Sequence, residues 1–291
     1  MSGNVKGSLF MVLAMLGFAI EDAIFKGLAQ DLPPGFTTLL FGLTGAVLFA
    51  GLCLARGETP ITREALRPRL LIRSGIELVG RLFFALALAF TPLSSTSAIL
   101  QAAPLVVTFG AAILLGEKVG PRRWTAMAVG FSGVLLIIKP TPAAFEPASI
   151  FALLGMIGFA GRDLATRMAP PTVSGWQLGT LGFLVVFVAG AIFMGFDSAP
   201  PRLPAPGEAL RLLMLGVTGV SAYAALTVAM RSGEVSVVAP FRYSRLLVAL
   251  VLAYLFFGER PDLWTLAGGV LIVVSGSYTL IRSGRVAAKG Q

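Results

Sequence analysis

Histidine is absent from the 291 residues and Cys53 is the single cysteine, so the side chains left to do chemistry are carboxylates, guanidiniums, amides and hydroxyls. That excludes a Ser-His-Asp triad, a Cys-His pair, a histidine-ligated metal and a histidine proton relay. Acids and bases recur instead at helical spacing. Asp22 with Lys26, Glu77 with Arg81, and Asp163 with Arg167 each stand four apart in the favourable order, and Arg73 extends the second pair into a stripe. These pairs either neutralise one another and snorkel to an interface or face a ligand. Glu21, Arg162, Arg242 and Arg245 have no evident partner on their own helix, so they must pair across helices, meet water or meet a ligand. The interior and near-interior acids Glu21, Asp22, Glu77 and Asp163 face the bases Lys26, Arg81, Arg162, Arg167, Arg242 and Arg245, an excess of two positive charges. Such a set recognises charge, and the planar donor fork of arginine suits a carboxylate or a zwitterion better than a dication. Either Arg242 or Arg245 meets that carboxylate, or it neutralises Glu21 or Glu77. Gln101, beside the hydroxyls of Ser94, Ser95, Thr96 and Ser97, and the corresponding Tyr243 add candidate polar contacts. Phe18, Phe83, Phe84, Trp176 and Tyr223 are the candidates for an apolar wall.

The elements that carry these residues are membrane helices, because 56% of the chain is apolar and only 13% charged. A hydrocarbon core about 30 Å thick asks for roughly 20 apolar residues per crossing. Ten such segments are expected, near 8–28, 35–55, 70–90, 93–115, 123–138, 148–168, 175–196, 209–230, 235–257 and 263–281. Pro and Gly mark most of the gaps. The first segment is not a secretory signal, because Glu21 and Asp22 stand where small cleavage-site residues belong and the apolar run resumes after them. An ionisable side chain inside a span costs on the order of 3 kcal/mol, so each one needs a reason. Pro104 and Pro240 are candidate hinges, since proline in a span frees backbone carbonyls toward a cavity. Ala46/Ala50, Ala85/Ala89 and Ala249/Ala253 read as close helix contacts. No connection is long enough for a soluble catalytic or nucleotide-binding domain.

The formal charge of +9 follows from topology rather than from nucleic acid. With the amino terminus in the cytoplasm, fourteen of the 23 Lys and Arg residues fall in cytoplasmic segments, five outside and four within spans. This is the positive-inside pattern of a bacterial inner-membrane protein with both termini cytoplasmic.

Gly116-Glu117-Lys118 and Gly258-Glu259-Arg260 lie 142 residues apart, each closing an apolar run and each followed by a turn, a Trp and another apolar run. The chain therefore reads as two copies, 1–145 and 146–291, of five spans each. An odd number of spans inverts the second copy, which places a pseudo-two-fold axis in the membrane plane and a central cavity between the copies. The cavity is expected to draw on the first, third, fourth, sixth and ninth spans.

The run from Ser97 through Gln101 to Pro104, leading to Leu114-Leu115-Gly116-Glu117-Lys118, resembles the fourth and fifth helices of the drug/metabolite transporter superfamily, EamA type. Nearly the whole chain is covered. The second copy departs from the pattern, with Arg245 or Leu246 where the counterpart of Pro104 belongs, and Arg242-Tyr243-Ser244-Arg245 resembles a variant of some metabolite permeases of that family. As a whole the chain is similar to YddG-like bacterial exporters of aromatic and other neutral amino acids. The resemblance implies an all-α, ten-helix secondary transporter exporting such solutes by alternating access, with the lipid bilayer and a small-molecule substrate as partners. Neither a cofactor nor nucleic acid is implied, and one chain holding both copies is expected to suffice for transport, with an oligomer left open. Two other readings stand beside it. One is an uptake permease for a metabolite such as a nucleoside-like cofactor; the other is a membrane-embedded enzyme or lipid-handling scaffold.

Overall fold

The computed structural model describes residues 3–114, 120–139, 146–167, 172–232 and 239–289. The helices are α1 (Gly3–Asp31), α2 (Pro34–Ala55), α3 (Pro68–Phe90), α4 (Leu93–Leu100), α5 (Ala103–Leu114), α6 (Pro121–Ile138), α7 (Ser149–Arg167), α8 (Gly175–Met194), α9 (Pro206–Ser232), α10 (Ser244–Phe257) and α11 (Leu263–Lys289). Two short 3-10 turns, Arg63–Leu66 and Ala239–Tyr243, complete the elements, and no strand occurs among the described residues. With α4 and α5 as two halves of one span, these helices fill the ten expected spans. Proline opens α2, α3 and α6, where its missing N–H costs no intrahelical bond. Ser174 and Gln177 form a capping box at the start of α8. Gly258 closes α10 in the left-handed conformation, at a φ of 62°.

The fourth span breaks at Gln101 and Ala102, before Pro104 rather than at it. Proline then stands in the first turn of α5, the helical position it tolerates best. Pro240 lies inside the 3-10 turn that precedes α10. Gly116-Glu117-Lys118 lies outside the described residues.

Connections gather at two ends. At one, Ser174 bonds Glu58 and the Gln177 amide donates to the Thr59 carbonyl, joining the loop before α3 to the loop before α8. At the other, Asp197 accepts from the backbone N–H groups of Gly35 and Phe36 at 3.0 Å, Arg211 pairs with Asp31, and Lys139 pairs with Asp262. Among the described residues four helices, within 5–31, 34–55, 175–194 and 206–229, are long and apolar enough to cross a membrane.

Glycines make very close helix contacts. A Cβ on Gly42 of α2 would come within 2.2 Å of the Phe187 backbone in α8, and one on Gly190 within 2.1 Å of Leu39. Gly80 meets Gly158 between α3 and α7, and Gly133 meets Gly268 between α6 and α11, in the same way. Without a hydrophobic force between helices in lipid, close backbone approach is what holds them together, and glycine permits it most. The main helix pairs are α1 with α9, α2 with α8, α3 with α7 and α6 with α11.

Candidate functional site

Glu21 and Asp22 sit on α1, Arg81 one turn above Glu77 on α3, and Arg245 in the first turn of α10. Glu21, Asp22 and Arg81 line one cavity and Arg245 stands behind Asp22, and for Asp22 and Arg81 cross-helix pairing replaces the same-helix pairing expected from the spacing. Arg245 donates to Asp22 Oδ2 through Nη2 at 2.5 Å and Nε at 3.2 Å, and its guanidinium lies over the rings of Phe18 and Phe84. Arg81 faces Glu21 across 3.8 Å, beyond hydrogen-bonding reach, with its guanidinium against Phe159. Its Nε is buried with no hydrogen-bond partner among the described residues. One pair is therefore locked and its neighbour is loose.

Lys26 does not turn back to Asp22. Its ammonium donates to the Thr91 carbonyl at 2.6 Å and stands 3.9 Å from Glu259. Glu77 likewise leaves Arg81, pairing with Arg73 at 3.1 Å on its own helix and with Arg162 of α7 at 3.3 Å. The physical reason is scale. A pair spaced by four gains about 0.2–0.5 kcal/mol on an isolated helix, whereas a buried carboxylate left unpaired costs several kcal/mol, so it takes the partner that solvates it best. The side chains of Asp163 and Arg167 lie outside the described residues.

The cavity is lined by the charged Glu21, Asp22 and Arg81, by the rings of Phe25, Phe41 and Phe84, and by Thr38, Ala85, Leu88 and Val186. It is built by α1, α2, α3 and α8, so the second and seventh spans take part where the fourth, sixth and ninth were expected. Arg245 of the ninth and Arg162 of the sixth stand behind the charged lining, holding its acids or their neighbours. The four charges nearest the cavity, Glu21, Asp22, Arg81 and Arg245, balance. The positive surplus read from the sequence is not in the cavity lining; Lys26, which carries one part of it, stands beside Glu259 instead.

The remaining candidates are dispersed. Gln101 is buried at the break between α4 and α5 and donates to the Arg242 carbonyl at 3.2 Å. Tyr243, also buried, has a hydroxyl without a hydrogen-bond partner among the described residues. Phe83 stacks on Phe151 at 6.0 Å. Trp176 and Tyr223 pack on Phe49, and Trp176 also carries the Arg56 guanidinium 4.0 Å above its ring. None of these five lines the cavity. Phe25, Thr38, Phe41 and Val186 were missed by sequence reasoning; only Phe25, one turn from Glu21, carried a positional signal. No group of three acidic or cysteine ligands able to hold a metal occurs among the described residues.

The chain belongs to the EamA-like transporter family, whose model matches residues 5–139 and again 147–281. It is 28% identical over 292 residues to the riboflavin transporter of Rhizobium johnstonii, covering 97% of this chain and 93% of that protein. It is 27% identical to the pseudopaline exporter CntI of Pseudomonas aeruginosa, over 92% of this chain and 94% of that one. The S-adenosylmethionine uptake transporter of Rickettsia prowazekii is 24% identical, with 92% and 90% covered. A solved crystal structure shares the fold at a TM-score of 0.64 and 18% identity, over 98% of both chains. The protein is thus a membrane transporter of small solutes and not an enzyme.

Proposed function

We propose that this transporter carries neutral, zwitterionic amino acids, aromatic ones among them, out of the bacterial cell by alternating access. The observation that carries the reading is the cavity, whose lining combines Glu21, Asp22 and Arg81 with three phenylalanines, while Arg245 behind the lining neutralises Asp22. A zwitterion with an apolar side chain matches both kinds of lining.

Alternating access would come from two inverted copies, 1–145 and 146–291, rocking about the cavity. Exchange α1 with α7, α2 with α8, α3 with α9, α4 and α5 with α10, and α6 with α11. The contact of α1 with α9 then becomes that of α7 with α3, while α2 with α8 and α6 with α11 map onto themselves. The contact of α1 with α10 becomes that of α7 with α4 and α5, which also exists. This self-mapping supports the repeat, as does a family model that matches each half separately. The charge distribution supports an inner-membrane setting with both termini cytoplasmic.

Uptake of a metabolite is the second reading, favoured by a relative named for uptake at nearly the same identity and coverage as one named for export. Cells producing the protein decide the direction. An exporter lowers their content of preloaded radiolabelled phenylalanine and raises tolerance to toxic amino-acid analogues; an importer of amino acids does the reverse. A cell content unchanged for every amino acid tested would contradict the substrate class.

A further inference from the structure

We propose that the substrate binds by entering the loose ion pair between Glu21 and Arg81, its carboxylate on Arg81 and its ammonium on Glu21. The inference rests on the amino-acid reading above and assigns the two recognising residues within it.

The two cavity pairs differ in what they can give up. Asp22 takes two donors of Arg245 on one oxygen, and that guanidinium is packed on two rings, Phe18 and Phe84. Removing Arg245 to serve a ligand would break two charge-assisted hydrogen bonds and two ring contacts. Arg245 is therefore a scaffold. The pair of Glu21 and Arg81 has already been desolvated, yet at 3.8 Å it makes no hydrogen bond, and Arg81 Nε has no partner among the described residues. Both groups line the cavity.

A group that carries one negative and one positive charge on adjacent atoms can stand between them. It replaces one long contact by charge-assisted hydrogen bonds at both ends, and the local charge stays balanced before and after. A plain carboxylate would satisfy Arg81 but leave two acids facing it, Glu21 and Asp22. A plain amine would satisfy Glu21 and leave the buried Arg81 without a partner. The charged groups around the pair are Asp22 beside Glu21 on α1, Arg245 from α10, Glu77 one turn below Arg81, and Arg162 from α7, which shares the Phe159 ring with Arg81. From α2 the cavity receives Thr38 and Phe41, and from α8 Val186, none of them charged. Gly219 of α9 lies against Glu21, where a Cβ would stand 3.1 Å from Oε2, so that wall of the carboxylate is closed by backbone.

The test is binding of three probes to the purified full chain: L-phenylalanine, 3-phenylpropanoate, which lacks the ammonium, and 2-phenylethylamine, which lacks the carboxylate. Phenylalanine is expected to bind roughly 10- to 100-fold more tightly than either, the range that one charge-assisted contact supplies. Glu21→Gln should shift the preference toward 3-phenylpropanoate, and Arg81→Gln toward 2-phenylethylamine. These opposite shifts are something a merely structural pair cannot produce. The wild-type series stands on its own should either variant fail to fold. Equal affinity for all three probes with phenylalanine flux intact would overturn the assignment and leave the amino-acid reading standing. Absence of both binding and flux for phenylalanine and for the other neutral amino acids would overturn both.

Discussion

Asp22 and Arg245 are the residues on which the site's framework depends. Asp22 is almost fully buried, and Arg245 is its hydrogen-bonded cation. Asp22→Asn leaves Arg245 unpaired and should lower stability by about 3–5 kcal/mol, read as a fall in melting temperature of the purified protein. Adding Arg245→Gln should recover most of that loss, because no buried charge is then left alone. Additive losses in the double variant would mean that the two side chains do not act as a pair. The sequence made these residues legible as buried charges in need of partners, yet it paired Asp22 with Lys26 and Glu77 with Arg81. Spacing by four is visible along one helix; the approach of α10 to α1 is not. The aromatic lining was still less legible, since Phe25 and Phe41 are two of 21 phenylalanines and membrane spans use that residue for packing and lipid contact alike.

The mark that first betrayed the repeat, Gly258-Glu259-Arg260, has a structural use. After Gly258 ends α10, the Glu259 carboxylate accepts from the backbone N–H groups of Leu93 and Ser94 at 2.8 and 3.0 Å and from the Ser94 hydroxyl at 2.8 Å. It thereby caps α4, an eight-residue helix with no side-chain cap of its own. A carboxylate also suits the positive end of the helix dipole. Glu259→Gln should cost about 0.5–2 kcal/mol and lower the melting temperature, with a smaller loss than for Asp22→Asn. A melting temperature equal to wild type would mean that the cap contributes nothing. The glycines at the helix contacts leave no such latitude. Gly42→Leu would drive a side chain into the backbone of α8 where even a Cβ has 2.2 Å, and the folded yield should collapse. A wild-type yield would mean that α2 and α8 are not packed as described. The helices themselves were legible from apolar runs and their Pro and Gly boundaries. The break at Gln101 was not, because the apolar pattern continues through it and it shows only in the backbone, where the N–H groups of Gln101 and Ala102 bond three residues back, to Ala98 and Ile99, rather than four.

At the scale of the whole molecule, ten expected crossings and the two sets of end contacts make the topology testable independently of any substrate. Reporter fusions after Gly120 and after Asp262 should report opposite sides of the membrane, the first cytoplasmic; the same side for both would contradict the inverted copies. The balance of the four cavity charges adds a consequence for transport. A zwitterion that enters the Glu21 and Arg81 pair adds no net charge to the moving site, so its flux should be insensitive to an imposed membrane potential. The measurement that bears most directly on the account is radiolabelled phenylalanine flux in proteoliposomes of the purified protein, with and without Arg81→Gln. The account predicts saturable counterflow in the wild type, unchanged by potential and competed by other neutral amino acids, and its loss in the variant at similar folded yield. Wild-type proteoliposomes no more permeable to phenylalanine than protein-free liposomes, under exchange conditions as well as under a gradient, would contradict it.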